Sequence, residues 1–237
     1  MGGQPSHPEL LDWLATTFLE NGGSLKKLHR LIVTSAVYKQ SCKHNAEFAK
    51  IDSGNVLLWR MNRTRLDAES LRDAVLAITG QIDLTMGGPP ARQFLLKAGV
   101  HVTPEVDYND FDVDSRDARR RSVYRFIFRT LPDPFMDSMD CPDASQLTPA
   151  RNTSVTALQA LSMLNNHFMV RYAEHFADRL AQLREDRSGQ IELAFQLAYN
   201  RPATVDEVEM LSGYAAKHGM ANLCRLILNS NEFVFVN

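Results

Sequence analysis

The segment CPDASQLTPARNTSVTALQALSMLNNHF, residues 141–168, decides the predicted fold because it joins a polar loop to an amphipathic helix. Two prolines in the loop favour an extended backbone. Either Asn152 or Thr153 can cap the helix, because the side-chain oxygen of each can accept a free backbone N–H. We expect the helix to end near Asn165, which can serve as a helix stop.

This helix is predicted to have one apolar and one polar face. At about 100° per residue, its apolar and polar side chains fall on different arcs. The apolar arc contains Ala157, Leu158, Ala160, Leu161 and Leu164, and the polar arc contains Thr156, Gln159, Ser162 and Asn166. We therefore expect the apolar arc to pack in the core and the polar arc to be free to bind.

The composition is that of a globular chain of 237 residues with 26 basic and 28 acidic side chains. The charges nearly balance, so no basic field indicates a nucleic-acid partner. Three scattered cysteines lack the C-x-x-C spacing of zinc and haem sites, so we expect no cofactor in this chain. No apolar run approaches the ~20 residues that span a bilayer, and the polar start is unlike a signal peptide; we expect no membrane partner.

The remaining pattern predicts a mainly α fold, an irregular domain of seven to nine helices. Capping residues followed by apolar residues at helical spacing indicate helix starts at Ser6, at Ser24, at Asp67 or Ser70, and at Thr204. We expect these helices and the helix of residues 141–168 to pack around one core, with one short β-strand or hairpin.

The strand prediction falls on Ser122–Arg129, which is rich in aromatic and β-branched residues. Alternation along a strand places Tyr124, Phe126 and Phe128 on one face, which we expect to be buried. A lone strand needs a partner. The nearby run Val100–Val102 is the partner that the sequence offers.

The acidic stretch Asp107–Asp117 raises the question of a calcium site. It lacks the glycine and the glutamate that an EF-hand requires at fixed positions. A looser calcium loop through Asp110, Asp112 and Asp114 stays open as an alternative to a solvated acidic loop that faces nearby arginines.

A candidate binding cluster follows from the polar arc and the loop before it: Asp143, Arg151, Gln159, Asn165 and His167. Arg151 can fork onto Asp143 or onto a ligand carboxylate, sulfate or phosphate. The alternative is structural, with Arg151 locking the loop to the helix. His167 has no Asp or Ser at the spacing of a nucleophilic triad, so we name no catalytic residue.

Short motifs along nearly the whole chain resemble one family, the uncharacterised C-terminal domain of planctomycete-type multidomain proteins, domain-of-unknown-function family 1553. The matching stretches are Ser6–Ala15, Leu66–Glu69 with Arg72–Asp73, Arg120–Tyr124, Cys141–Asp143, Arg151–Thr153 with Ala157–Leu161 and Leu164–Asn165, and Asn229–Phe233. The resemblance implies a single domain over residues 1–237. It also implies a C-terminal fragment that lacks an Asn-Arg-x-Trp segment of the family's N-terminal part.

The resemblance further implies a structural or interaction domain of a larger exported or periplasmic, cytochrome c-linked protein, with carbohydrate processing as the suggested setting. Its partners would be the neighbouring domains, and exposed apolar surface would favour self-association. The alternative is an enzyme or anion-binding pocket around Asp143, Arg151 and Gln159. Whether the chain is an enzyme stays open at this point.

Overall fold

The computed structural model describes residues 4–99, 105–144, 146–148 and 150–236. The chain divides into two compact units, unit 1 up to Thr64 and unit 2 over Arg65–Val236. The described residues form eleven helices and four short strands, which confirms the mainly α prediction. The number of helices exceeds the expected seven to nine because three of them have only four to six residues.

Unit 1 contains α1 (Pro8–Glu20), α2 (Leu25–Thr34) and α3 (Ala46–Ile51). Ser24 caps α2 as predicted, since its side chain accepts the N–H of Lys27. The capping box predicted at Ser6 is wrong, because Pro8 begins α1 and His7 takes the N-cap position without a side-chain cap. The Ser6 hydroxyl instead lies 2.9 Å from Nδ1 of His7.

Unit 2 is built around one long central helix. Its helices are α4 (Ala68–Ile78), α5 (Pro134–Ser138), α6 (Ala157–Asn165), α7 (His167–Leu183), α8 (Arg187–Tyr199), α9 (Val205–His218), α10 (Met220–Leu228) and α11 (Asn231–Val234). Helix α7 packs against α4, α6, α8 and α10, and its side chains Tyr172, Phe176 and Leu180 are fully buried. Asp67 and Thr204 cap α4 and α9 as the sequence predicts.

The strands are short and lie at the edges of this helical core. They are β1 (Thr64–Arg65), β2 (Leu95–Lys97), β3 (Glu105–Asp107) and β4 (Phe235–Val236). Strands β2 and β3 pair antiparallel with Leu96 opposite Val106. The N–H of Leu66 donates to the Val234 carbonyl at 2.9 Å, which joins the last described residues to the beginning of unit 2.

The strand predicted at Ser122–Arg129 is wrong. Ser122–Tyr124 forms a 3-10 turn, and the extended backbone after it makes only an isolated bridge between Ala91 and Arg125. Tyr124 and Phe128 are half-buried and Phe126 is exposed, so the expected aromatic face is not in the core. The partner run predicted at Val100–Val102 lies outside the described residues.

Helix α6 begins later than expected and ends where expected, at Asn165. The predicted caps Asn152 and Thr153 are wrong, because Thr156 caps the helix. Its hydroxyl accepts the N–H of Gln159, and the Gln159 side chain accepts the N–H of Thr156 in return.

The face of α6 that packs inward is the opposite of the predicted one. Gln159 and Met163 are buried, whereas Leu158 is 63% exposed and Leu161 is 55% exposed. A polar contact accounts for this orientation of α6, because the Gln159 amide also donates to the Asp140 carboxylate beneath the helix. A satisfied buried amide therefore orients α6, and two leucines lie in solvent.

No helix in the described ranges combines the length and the apolar content that crossing a bilayer requires.

The cap of α6 gives a direct test of this local structure. Replacing Thr156 with Ala removes the hydroxyl that accepts the N–H of Gln159, so the free energy of unfolding should fall by about 1 kcal/mol. Urea denaturation followed by circular dichroism measures this change. Asn152→Ala is the matched control and should cost less than about 0.5 kcal/mol. Equal losses in the two variants would contradict the assigned cap.

Candidate functional site

A cleft of about 1050 Å³ lies within unit 2. It is bordered by α4, by the segment 121–133, and by α5 with the loop that follows it. The charged residues that line it are Glu69, Asp73, Arg121, Arg125, Arg129, Asp133, Asp137, Asp143 and Arg151. Its volume is at the upper end of the range for small-ligand sites, which makes it the candidate site of this unit.

A buried guanidinium holds the turn that leads into the segment 121–133 beside α4. Arg72 is 4% exposed, donates to the Arg120 carbonyl at 3.0 Å and donates to the Ala118 carbonyl. Its guanidinium carbon lies 5.3 Å from the centre of the Phe168 ring. Burial, with nearby Arg125, lowers the pKa of Arg72 to about 10, so it stays charged near neutral pH. Two backbone carbonyls thus accept hydrogen bonds from a buried cation.

Asp73, the next residue of α4, binds the same part of the chain. Asp73 accepts the backbone N–H of Ser122 at 2.7 Å, and the Nε of Arg121 lies 3.4 Å from its second oxygen. Arg72 and Asp73 therefore bind one short turn from the two sides of its backbone, through carbonyl oxygens and through an amide.

Two arginine–carboxylate pairs lie at the cleft surface. Arg151 donates twice to Glu69, at 2.6 and 3.0 Å, and its guanidinium is half-exposed. Arg125 pairs with Asp133 and also donates to the side chain of Gln93. The hydrogen bonds that Arg151 donates to Glu69 raise the pKa of Arg151. The carboxylate that Arg151 holds by two hydrogen bonds is thus Glu69, whereas the sequence pointed to Asp143.

Asp140 organises the loop that ends at α6. Its carboxylate accepts from Arg65 at 2.7 Å, from the Ser154 N–H at 2.8 Å and from the Gln159 amide at 3.0 Å. Its backbone is left-handed, with φ of 60°, a conformation that Asp and Asn adopt more readily than most residues. Burial opposes ionisation, but hydrogen bonds from Ser154 and Gln159 and the charge of Arg65 lower the pKa of Asp140 overall.

The structure separates the five residues of the predicted binding cluster. Asp143 and Arg151 both line the cleft. Gln159 is 6% exposed and belongs to the hydrogen-bonded group around Asp140. Asn165 and His167 lie at the far end of α6, and neither lines the cleft.

The last two members of that cluster have local roles. The Asn165 side-chain oxygen accepts from Arg225 of α10 at 2.9 Å. His167 is exposed and borders a separate cavity of about 110 Å³. A polar surface formed by all five residues is therefore absent from the described structure.

The candidates for a calcium loop are Asp110, Asp112 and Asp114, and two of them pair with different cationic side chains. Asp110 pairs with Lys97 at 3.0 Å. Asp114 pairs with Arg171 at 2.7 Å and with His175. Within the residues that the structure describes, no three His, Cys, Asp or Glu side chains are grouped as a metal ion would require.

The only cysteine among the described lining residues is a poor nucleophile. Burial and the negative charge of Glu69 raise the pKa of Cys141 to about 11, so the sulfur stays protonated near neutral pH. No histidine occurs among the described lining residues to remove its proton. Among the described lining residues, Cys141 therefore has no histidine partner, and the charged and apolar groups of the cleft can bind a ligand.

Sequence analysis missed several lining residues, above all Glu69, Asp73 and Arg125. The signal for the first two was their spacing of four on a predicted helix, which places both carboxylates on one face. For Arg125, the alternation along residues 122–129 does predict a carboxylate partner such as Asp133, and that pair forms, whereas no pattern indicates Gln93 as its second partner.

The Asp140 carboxylate predicts a pH-dependent stability. Asp140→Asn keeps the shape and the left-handed backbone, so at pH 7 we expect the free energy of unfolding to fall by about 2 kcal/mol through loss of the charge. The folded-state pKa lies below the unfolded value of about 4, so the stabilisation is complete above that value and is lost as the pH falls through the folded-state pKa.

Urea titrations between pH 7 and pH 2.5 measure this difference. The gap between wild type and Asp140→Asn should shrink in the acidic range, while the exposed Asp137→Asn control should stay close to wild type throughout. A gap that is independent of pH would contradict the assigned role of the charge.

Comparison with known proteins gives a family and no function. No curated protein and no solved structure matches the chain. Residues 1–215 match the family model described as PSD1, a protein of unknown function (DUF1553). Because this match covers most of the 237 residues, the chain belongs to the DUF1553 family.

Proposed function

We propose that this chain is an interaction module that packs against a neighbouring protein domain through the apolar side chains of α1 and α2. One observation carries the proposal: Asn55 is the single buried residue among the described residues of unit 1. The large apolar side chains that α1 and α2 expose are Leu10, Leu11, Trp13, Leu19, Leu25, Ile32 and Val33.

The exposed apolar side chains of α1 and α2 limit the stability of unit 1. A segment of about 60 residues is marginally stable even with a normal core, because it buries a small fraction of its surface. Helices α1 and α2 contact each other, yet Phe18 and Leu28, which lie between them, are only half-buried. Exposed apolar patches of this kind mark interaction sites. A second protein surface would supply the missing burial.

Charge indicates the chemistry of that second surface. Residues 1–64 contain eight basic and five acidic side chains, so unit 1 carries a positive excess. Lys26, Lys27 and Arg30 are exposed on α2. The surface that fits is therefore apolar at its centre and acidic at its rim, since complementary charge steers association.

The setting that we propose for this module comes from the family resemblance. The neighbouring domain would belong to a larger exported, cytochrome c-linked protein that processes carbohydrate. In that setting the module contributes surface and position, and the redox chemistry belongs to the cytochrome domain.

A second candidate function is a ligand-binding cleft in unit 2, in place of the pocket expected around Asp143, Arg151 and Gln159. The supporting observation is the convergence of Asp143, Arg151, Arg125 and Arg129 on one cleft of about 1050 Å³. Gln159 is not part of it, because its side chain is buried against Asp140. Binding without catalysis is the activity that these groups support.

The interaction proposal predicts the behaviour of a double variant. Calorimetric titration of the full chain with its adjacent domain should show saturable binding, weakened at least tenfold (about 1.4 kcal/mol) by Leu11→Gln with Leu25→Gln. Both leucines are more than half exposed, so folding should change little. Leu147→Gln, at a fully exposed leucine of unit 2, is the matched control.

Three other outcomes would contradict the proposal. The chain could behave as a monomer that binds no apolar dye, which would mean that these faces are already covered. It could bind itself alone, or it could bind vesicles of anionic lipid and no protein domain. Light scattering, dye fluorescence and vesicle sedimentation separate these results.

A further inference from the structure

We propose that the cleft of unit 2 binds an uncharged polyhydroxylated ligand of oligosaccharide type, an inference that rests on the second candidate function. The inference rests on one observation: arginine–carboxylate pairs and exposed aromatic and aliphatic side chains line the same cleft. The pairs are Arg151 with Glu69 and Arg125 with Asp133. The apolar segment consists of the side chains of Val123, Phe126, Ile127 and Phe128.

The charge balance of the cleft disfavours a strongly charged ligand. Among the described lining residues there are five carboxylates and four guanidinium groups. Arg151 donates two hydrogen bonds to Glu69, Arg125 pairs with Asp133, and Arg121 lies near Asp73. A phosphate or a carboxylate would have to compete with these partners and would be repelled by the carboxylates of the cleft. A polycation would meet the guanidinium groups in the same way.

A hydroxylated ligand avoids that conflict because each hydroxyl group both donates and accepts. A guanidinium has five N–H donors, and the bonds of Arg151 to Glu69 use two of them. A carboxylate has about four acceptor positions, so Glu69 can accept further hydrogen bonds. Hydroxyl groups can bridge such pairs without breaking them, and hydrogen bonds to charged groups are the stronger kind.

The apolar segment supplies the other half of the recognition. Val123 is 71% exposed and Ile127 is 59% exposed, and Phe126 presents about a third of its surface. Phe126 packs against Phe94 with ring centres 5.7 Å apart, which fixes its orientation. A sugar ring presents one face of C–H groups, and covering these side chains with that face removes apolar surface from water. The volume of about 1050 Å³ accommodates more than one ring.

Arg129 is the residue through which the inference is tested. It is exposed, it lines the cleft, and in the described part of the chain it forms no ion pair. Its donors are therefore available to a ligand, and replacing it should not disturb folding. Arg187 at the start of α8 is likewise exposed but does not line the cleft, which makes it a matched control.

The experiment is isothermal titration of the full chain with cellotetraose, mannotetraose and xylotetraose, which differ in their hydroxyl groups. We expect at least one to bind with a Kd on the order of 1 mM or tighter. Arg129→Gln should weaken that binding about tenfold, through loss of a hydrogen bond to a charged group. Phe126→Ala should weaken it as well, and Arg187→Gln should leave it unchanged.

Titrations with inorganic phosphate and with spermidine complete the test. If phosphate binds instead, and Arg129→Gln abolishes its binding, the cleft is an anion site and the polyhydroxylated ligand is wrong, while the second candidate function survives. If none of the five probes binds, both are overturned. Tetrasaccharide binding that is equal in wild type, Arg129→Gln and Phe126→Ala would also overturn the inference, because the ligand would then lie elsewhere.

Discussion

The cleft of unit 2 depends on the buried guanidinium of Arg72. A buried cation must be satisfied by acceptors, and here they are the backbone carbonyls of Ala118 and Arg120 together with the Ser122 hydroxyl. Because the carbonyls of this turn face the guanidinium, the chain emerging from it passes beside α4 without forming a regular strand. Asp73 then binds the amide of Ser122 and fixes the same turn from its other side. One wall of the cleft is the direct result.

Asp140 fixes the loop that carries Asp143 and Arg151 in a similar way, by accepting hydrogen bonds. Three donors that are distant in sequence, from Arg65, Ser154 and Gln159, converge on its carboxylate. The same carboxylate orients α6, because the Gln159 amide must reach it, and this leaves Leu158 and Leu161 in solvent. The inward face of α6 therefore carries this polar contact together with the buried side chain of Met163. Polar contacts of Arg72, Asp73 and Asp140 thus hold the segments on two sides of the cleft.

The sequence predicted what depends on near neighbours. The caps at Ser24, Asp67 and Thr204 and the end of α6 all involve contacts within one helical turn, so their residue types were sufficient evidence. The strand at residues 122–129 and the inward face of α6 were predicted wrongly. Both depend on contacts of Arg72 and Asp140 with residues far away in sequence, and the periodicity of a short segment carries no information on such contacts. For the site, Asp143 and Arg151 were placed at the cleft, but the Glu69 partner of Arg151 is 82 residues away in sequence.

Hydrogen exchange of the full chain tests the central claim, that Arg72 holds this wall of the cleft, most directly. In Arg72→Met we expect the amides of residues 122–126 to exchange at least tenfold faster, because the carbonyls beside them lose their donors. The amides of α6 should keep their rates, and Arg187→Met should resemble wild type at every position. Unchanged exchange at residues 122–126, or an equal rise throughout unit 2, would contradict the account.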